Sequence, residues 1–140
     1  MDGHYIYAIP PGEIDRHWFL VEHKLGNAIA YSDNKYSLSS VYEAIKNEEM
    51  QLWLIKSAYD LQAVVVTQIV DYPEKRVCLI MFTGGDKIDT YKHLISDISR
   101  FARYNRCKSI EFYGRHGWLK KISVLGFDHI HSVFRLELKE

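Results

Sequence analysis

The chain is short of almost everything that would point to an oxidising compartment, a membrane or a polyanion. It has two cysteines in 140 residues, Cys78 inside an apolar run and Cys107 in a basic turn. There is no C-x-x-C and no Cys/His cluster at metal spacing, so neither a disulfide framework nor a metal site is expected. Proline falls to three residues and glycine to eight. Their signals sit at element boundaries, and no linker, repeat or low-complexity tract occurs. No run of about 18 apolar residues is present, and the start lacks a basic segment followed by an apolar one. A membrane span and a secretory leader are therefore disfavoured, and a cytoplasmic protein is expected. Charge of one sign is missing too: 18 Lys plus Arg stand against 18 Asp plus Glu, a formal net charge of 0. That balance denies the chain the broad basic field that nucleic-acid backbones attract, and no nucleic-acid partner is expected.

What is present is apolar and patterned. Hydrophobic residues make up 47% and aromatics 14%, enough for one core in a chain read as a single domain over residues 1–140. The aromatic load also favours a protein-binding surface. Residues 4–9 alternate as a short strand that Pro10 and Pro11 end. Ile14, Trp18, Val21, Leu25 and Ala28 fall at helical steps, with Gly26 weakening the last turns. Ser40 and Glu43 have capping-box spacing for a second helix within 37–49. The centre changes to period two or to continuous apolar runs: strands are predicted over 51–56, 61–72 and 76–83, with Tyr72-Pro73-Glu74-Lys75 as a hairpin turn. A long helix is expected from about Lys87 to Asn105, capped by Asp86. A strand follows at 109–113, a short helix at 114–125 with Gly126 as its left-handed cap, and a final strand at 129–138. A helix between the third and fourth core strands implies a parallel pair there within an otherwise antiparallel sheet.

That element order, together with two motifs, resembles the GCN5-related N-acetyltransferase (GNAT) superfamily. Phe101-Ala102-Arg103-Tyr104-Asn105-Arg106-Cys107-Lys108-Ser109-Ile110-Glu111-Phe112 is similar to the end of the family's central helix and its next strand. Val124-Leu125-Gly126-Phe127 is similar to the "k-l-G-F" that closes its last helical motif. The segments Met50-Gln51-Leu52-Trp53, Ile69-Val70-Asp71-Tyr72-Pro73, Val77-Cys78 and Gly114-Arg115-His116-Gly117-Trp118 also resemble small GNAT-like proteins of tailed bacteriophages. The resemblance implies a mixed α/β fold, acetyl-CoA as cofactor, no metal, and an amine acceptor.

In that family a glycine-rich loop at the central helix's start holds the coenzyme's pyrophosphate, because free amides and the positive helix end face an anion. Ungapped alignment puts Asp86, Asp89 and Tyr91 at the loop's signature positions. All three depart from the pattern, and two of them bring carboxylates towards a polyanion. A shifted register makes Thr83, Gly84, Gly85, Asp86 and Lys87 the cofactor loop, with Arg115 as a further cation. The family's proton-donating tyrosine falls at Ile122, which cannot donate, and no carboxylate base occurs among Leu79, Ile80, Met81 and Phe82. Tyr113, at the end of its strand, and His116, in the turn from Gly114 to Gly117, are the remaining catalytic candidates. His129 and His131 alternate on one strand face without a third ligand. Two functions of different class follow: an N-acetyltransferase acting on an amine, or a catalytically inactive GNAT-fold scaffold serving as a phage virion or assembly protein with virion proteins as partners.

Overall fold

The computed structural model describes residues 5–58, 60–85 and 92–139. Strands β1 (Tyr5–Ile9), β2 (Gln51–Lys56), β3 (Leu61–Asp71), β4 (Arg76–Gly85) and β5 (Ser109–Phe112) form one sheet in the order β1-β2-β3-β4-β5. Pairing is antiparallel from β1 to β4 and parallel between β4 and β5. Helix α3 (Lys92–Tyr104) lies in the crossover between those two strands, which a tight turn could not make. Helices α1 (Ile14–Ile29) and α2 (Leu38–Lys46) precede β2, and the short α4 (Leu119–Ser123) follows β5.

The sheet separates two cores. Val64 and Val66 join Leu52, Leu54 and Phe82 under Ile14, Val21, Leu25, Val41 and Ile45 of α1 and α2. Val65 faces the other way and joins Trp53, Ile55, Cys78 and Ile80 under Leu94, Ile98 and Ala102 of α3. A central strand covered on both faces has no polar face to show, which explains its unbroken apolar run. The buried Thr67 is satisfied in place: it accepts from Trp53 Nε1 at 3.0 Å and donates to Gln51 at 2.8 Å. Across the hairpin turn, the Tyr72 amide donates to the Lys75 carbonyl at 2.9 Å. Arg76 pairs with Asp71 and also reaches the Asn105 carbonyl at 2.9 Å, tying the hairpin to the end of α3.

Helix α1 continues through Gly26 to Ile29, in keeping with its expected stripe to Ala28. Other boundaries differ from those expected. The box that caps α2 is Ser37 with Ser40, one turn before the expected Ser40 with Glu43. The helix after β5 divides into a 3-10 turn, His116–Trp118, and α4; Gly126 is left-handed beyond it at φ 101°. Residues 129–138 form no strand: they pair with nothing in the sheet, and their apolar side chains are exposed. The start of the central helix, with Asp86, Lys87, Ile88 and Tyr91, lies outside the described residues.

Gly84 marks where α1 touches the sheet. A Cβ there would stand 2.3 Å from the Lys24 carbonyl oxygen, a backbone atom that cannot swing aside, whereas at Gly26 nothing lies within 4 Å. Gly84→Ala is therefore expected to cost about 1–3 kcal/mol through overpacking. Gly26→Ala is expected to add about 0.5–1 kcal/mol by stiffening the unfolded chain and suiting the helix. Urea unfolding of the two variants checks the opposite signs.

Candidate functional site

The site begins where two parallel strands part. In register, β4 pairs with β5 from Val77 with Ser109 to Ile80 with Phe112. The last bond runs from the Tyr113 amide to the Ile80 carbonyl at 3.0 Å. Beyond it β4 continues from Met81 to Gly85 without a partner on that side, while the other chain turns away through Gly114. Gly114 allows the turn: a Cβ there would lie 2.3 Å from the Phe112 ring and 3.3 Å from Trp118.

The parting coincides with a β-bulge that the sequence pattern does not announce. Val66 pairs with Phe82 and Thr67 with Ile80, so Met81 is an extra residue on β4. Strict alternation would put Phe82 on the α3 side with Cys78 and Ile80. Instead Phe82 belongs to the α1/α2 core, Met81 packs against that same core, and Tyr36 meets Phe82 edge-on at 5.3 Å. The bulge thus re-aims the last residues of β4 at the point where their outer edge becomes free. Such an edge, with backbone donors and acceptors not taken by a strand, suits an extended ligand carrying amides of its own.

The expected site residues gather in part. Thr83, Gly84 and Gly85 end β4, and Tyr113, Gly114 and Arg115 follow β5, so the two groups come from the diverging ends of neighbouring parallel strands. Gly84 and Gly85 also have packing reasons to be glycine. Gly85 has φ 126°, and a Cβ on it would meet the Gln62 carbonyl oxygen at 2.3 Å. A bulky residue at Gly85 would therefore disturb the β3/β4 ladder as well as any ligand loop. Arg115 stacks its guanidinium 3.7 Å from the centre of the Tyr31 ring, at the junction of α1 and α2. His116 opens the 3-10 turn. Asp86 and Lys87, the rest of the expected loop, lie outside the described residues.

Tyr113 is half-exposed, and burial of its hydroxyl is the first cause that raises its pKa above the ordinary tyrosine value. A hydrogen bond to Tyr72 and the nearby Tyr72, Glu111 and Tyr36 act in the same direction. The group is therefore a protonated phenol at neutral pH. Glu111, two residues earlier on β5 and so on the same face, is partly buried and lines the same groove as Tyr113. Sequence reading sought a carboxylate only on β4 and passed over this one; its alternation with Tyr113 was the available signal. Ile122 lies in α4 and lines the groove beside β5. Cys78 is buried and its thiol is pushed up to about 12, so it is inert packing. Among the described residues no group of three His, Cys, Asp or Glu side chains could hold a metal ion. No described helix is long and apolar enough to cross a membrane.

The element order, the parallel pair and the flanking helices make this a mixed α/β protein with the GNAT fold. An aminoglycoside acetyltransferase from an uncultured soil metagenomic sample, in complex with sisomicin, matches with TM-score 0.73 at 9% identity, over 98% of this chain and 97% of that one. The aminoglycoside N-acetyltransferase AAC(6')-Iy, in complex with a bisubstrate analogue of CoA and acetylneamine, matches with TM-score 0.71 at 13% identity, over 97% and 98%. An acetyltransferase of Trypanosoma brucei matches with TM-score 0.65 at 14% identity, over 96% and 99%. No protein-family profile and no curated protein matches the sequence.

Raising the Tyr113 pKa has a consequence for stability. Above about pH 10 the unfolded chain releases this phenolic proton while the folded chain still holds it. Stability is therefore fully present below the ordinary tyrosine pKa and falls as pH rises through it towards the folded value. Tyr113→Phe is expected to flatten the decline of urea stability between about pH 9 and 11; an unchanged slope would contradict the assignment.

Proposed function

We propose that the protein transfers an acetyl group from acetyl-CoA to a primary amine, acting in the cytoplasm as a single domain. The observation that carries this reading is the parting of β4 from β5 beyond Ile80, with the bulge at Met81. The fold neighbours support it: one is in complex with a CoA bisubstrate analogue and another with an aminoglycoside.

Acetyl-CoA supplies an activated acyl carbon when bound. The free edge of Met81–Gly85 would hold the amides of the coenzyme's arm, and Thr83, Gly84 and Gly85 lead towards Asp86 and Lys87, where Lys87 would meet phosphate. Arg115, held over Tyr31, adds a cation on the far wall. Glu111 is assigned as the acceptor of the proton that an ammonium must lose before its nitrogen can attack. Tyr113, which ends its strand where β4 and β5 part, is assigned as the donor to the departing thiolate: its Oη keeps its proton at neutral pH. In the balanced reaction the N–C bond forms and the S–C bond breaks. The ammonium loses one proton to Glu111 before attack and its nitrogen loses a second as the amide forms; the second replaces the proton that Tyr113 gives to the sulfur, so one proton in net is released. The tyrosine thus works from the strand end, where the family's own tyrosine position is occupied by Ile122.

The second reading, a catalytically inactive scaffold in a phage particle, draws on Ile122, Asp86 and Asp89 and on the phage-like segments. It predicts stoichiometric copies in purified virions and no turnover with any amine.

Steady-state acetylation of a panel of primary amines, aminoglycosides included, separates the two. Tyr113→Phe is expected to lower kcat by about 10- to 100-fold with KM for acetyl-CoA nearly unchanged. Full activity in that variant would remove Tyr113 from the proton path, and no turnover in the parent protein would favour the scaffold.

A further inference from the structure

A groove of about 1010 Å³ runs along β5, the last strand of the sheet, and its lining is unequal in charge. Lys35, Lys75, Arg103, Lys108 and Arg115 line it against two carboxylates, Glu111 and Asp128. That is a local excess of three positive charges in a chain whose formal net charge is 0. None of the five cations joins an ion pair among the described residues. Two further acids are already held, Asp71 by Arg76 and Asp33 by Arg135, and Glu74, next to Lys75 in the hairpin turn, does not line the groove. A concave surface with an excess of one sign gathers ligands of the opposite sign and repels those of its own.

Two of the cations stand beside the assigned proton donor. Lys35 precedes Tyr36, and Lys75 closes the hairpin turn with Tyr72, whose amide donates to the Lys75 carbonyl at 2.9 Å. The Tyr36 and Tyr72 phenols both lie near that of Tyr113. Tyr36 is fixed by Phe82, which its ring meets edge-on at 5.3 Å. Lys35 and Lys75 are exposed and flank the place where Glu111 and Tyr113 would receive an amine. A polycation arriving there meets one carboxylate and the three cations Lys35, Lys75 and Arg115. A molecule with one ammonium and one anion finds a complement for each.

Resting on the acetyl-transfer reading, we infer that the acceptor is an amine that itself carries an anionic group, a carboxylate or a phosphate, which Lys35 and Lys75 hold while Glu111 takes the proton of the ammonium. The same charges turn polycations away. This separates the acceptor of this chain from the sisomicin bound by one fold neighbour.

Initial rates at saturating acetyl-CoA test this on the full chain with amines that differ by the anion: phosphoethanolamine against ethanolamine, and β-alanine against propylamine. The anionic member of at least one pair is expected to have a kcat/KM about tenfold or more above its partner, and the pair with the larger ratio assigns the anion as phosphate or carboxylate. Sisomicin and spermidine are expected to be poorer than either. Raising salt from about 0.05 to about 0.5 M should shrink the ratio by screening. Lys35→Glu and Lys75→Glu are expected to bring the ratio towards one through KM for the anionic amine, and Lys75→Arg to keep it. Both positions are exposed, so circular dichroism should be unchanged. Anionic amines turned over no faster than their neutral partners, or a ratio untouched by the charge reversals, would overturn the inference. If no amine is acetylated, the amide shifts of Lys75 and Tyr113 in the CoA-loaded protein decide it. Saturation by phosphoethanolamine or β-alanine but by neither neutral partner keeps the anion site and removes acetyl transfer, whereas no selectivity removes both.

Discussion

The last bond between β4 and β5 governs the rest of the molecule. Two parallel strands joined by a helix crossover pair for four residues and then separate, because Met81 is inserted as a bulge on one side and Gly114 turns the chain away on the other. Had the pairing continued to Gly85, the edge would be saturated and the sheet would close. Because it stops, backbone groups of β4 remain free in the middle of an otherwise complete fold, flanked by a phenol that keeps its proton and by a carboxylate one pleat away. A gap of this kind costs the sheet several hydrogen bonds, and the two cores on its faces hold the strands in place regardless.

The glycines serve this architecture before they serve any ligand. Gly84 lets α1 lie on β4, Gly85 lets the end of β4 pass over Gln62 and Ala63, and Gly114 clears the Phe112 ring. A glycine pair before a helix invites a phosphate-loop reading, yet here two of its members are already required by close backbone approach. The cations proposed for phosphate are separate residues, Lys87 and Arg115, and the stacking of Arg115 on Tyr31 fixes it beside the α1–α2 junction.

Much of the fold was legible because hydrophobic period and length carried it. The runs 51–56, 61–72 and 76–83 and the stripe of α1 correspond closely to observed elements, and the position of the long helix between two strands implied the parallel pair. The bulge was not legible: Leu79-Ile80-Met81-Phe82 is apolar throughout, so an inserted residue changes no pattern. The segment 129–138 was read as a strand from true alternation, but alternation states only that one face must be covered and not by what. For the proposed site, Tyr113 and Arg115 were candidates from their place in the motif, while Glu111 was not, because a base was sought on the neighbouring strand. The capping box slipped by one turn because Ser37 and Ser40 satisfy each other without the glutamate.

Backbone amide chemical shifts during titration with acetyl-CoA test the central claim most directly. If the parted strands form the binding cleft, the amides of Met81–Gly85 and of Tyr113–Arg115 move together and saturate at micromolar to submillimolar ligand, with β1 and α2 unchanged. No shifts at millimolar acetyl-CoA, or shifts confined to surfaces away from these two strand ends, would contradict it.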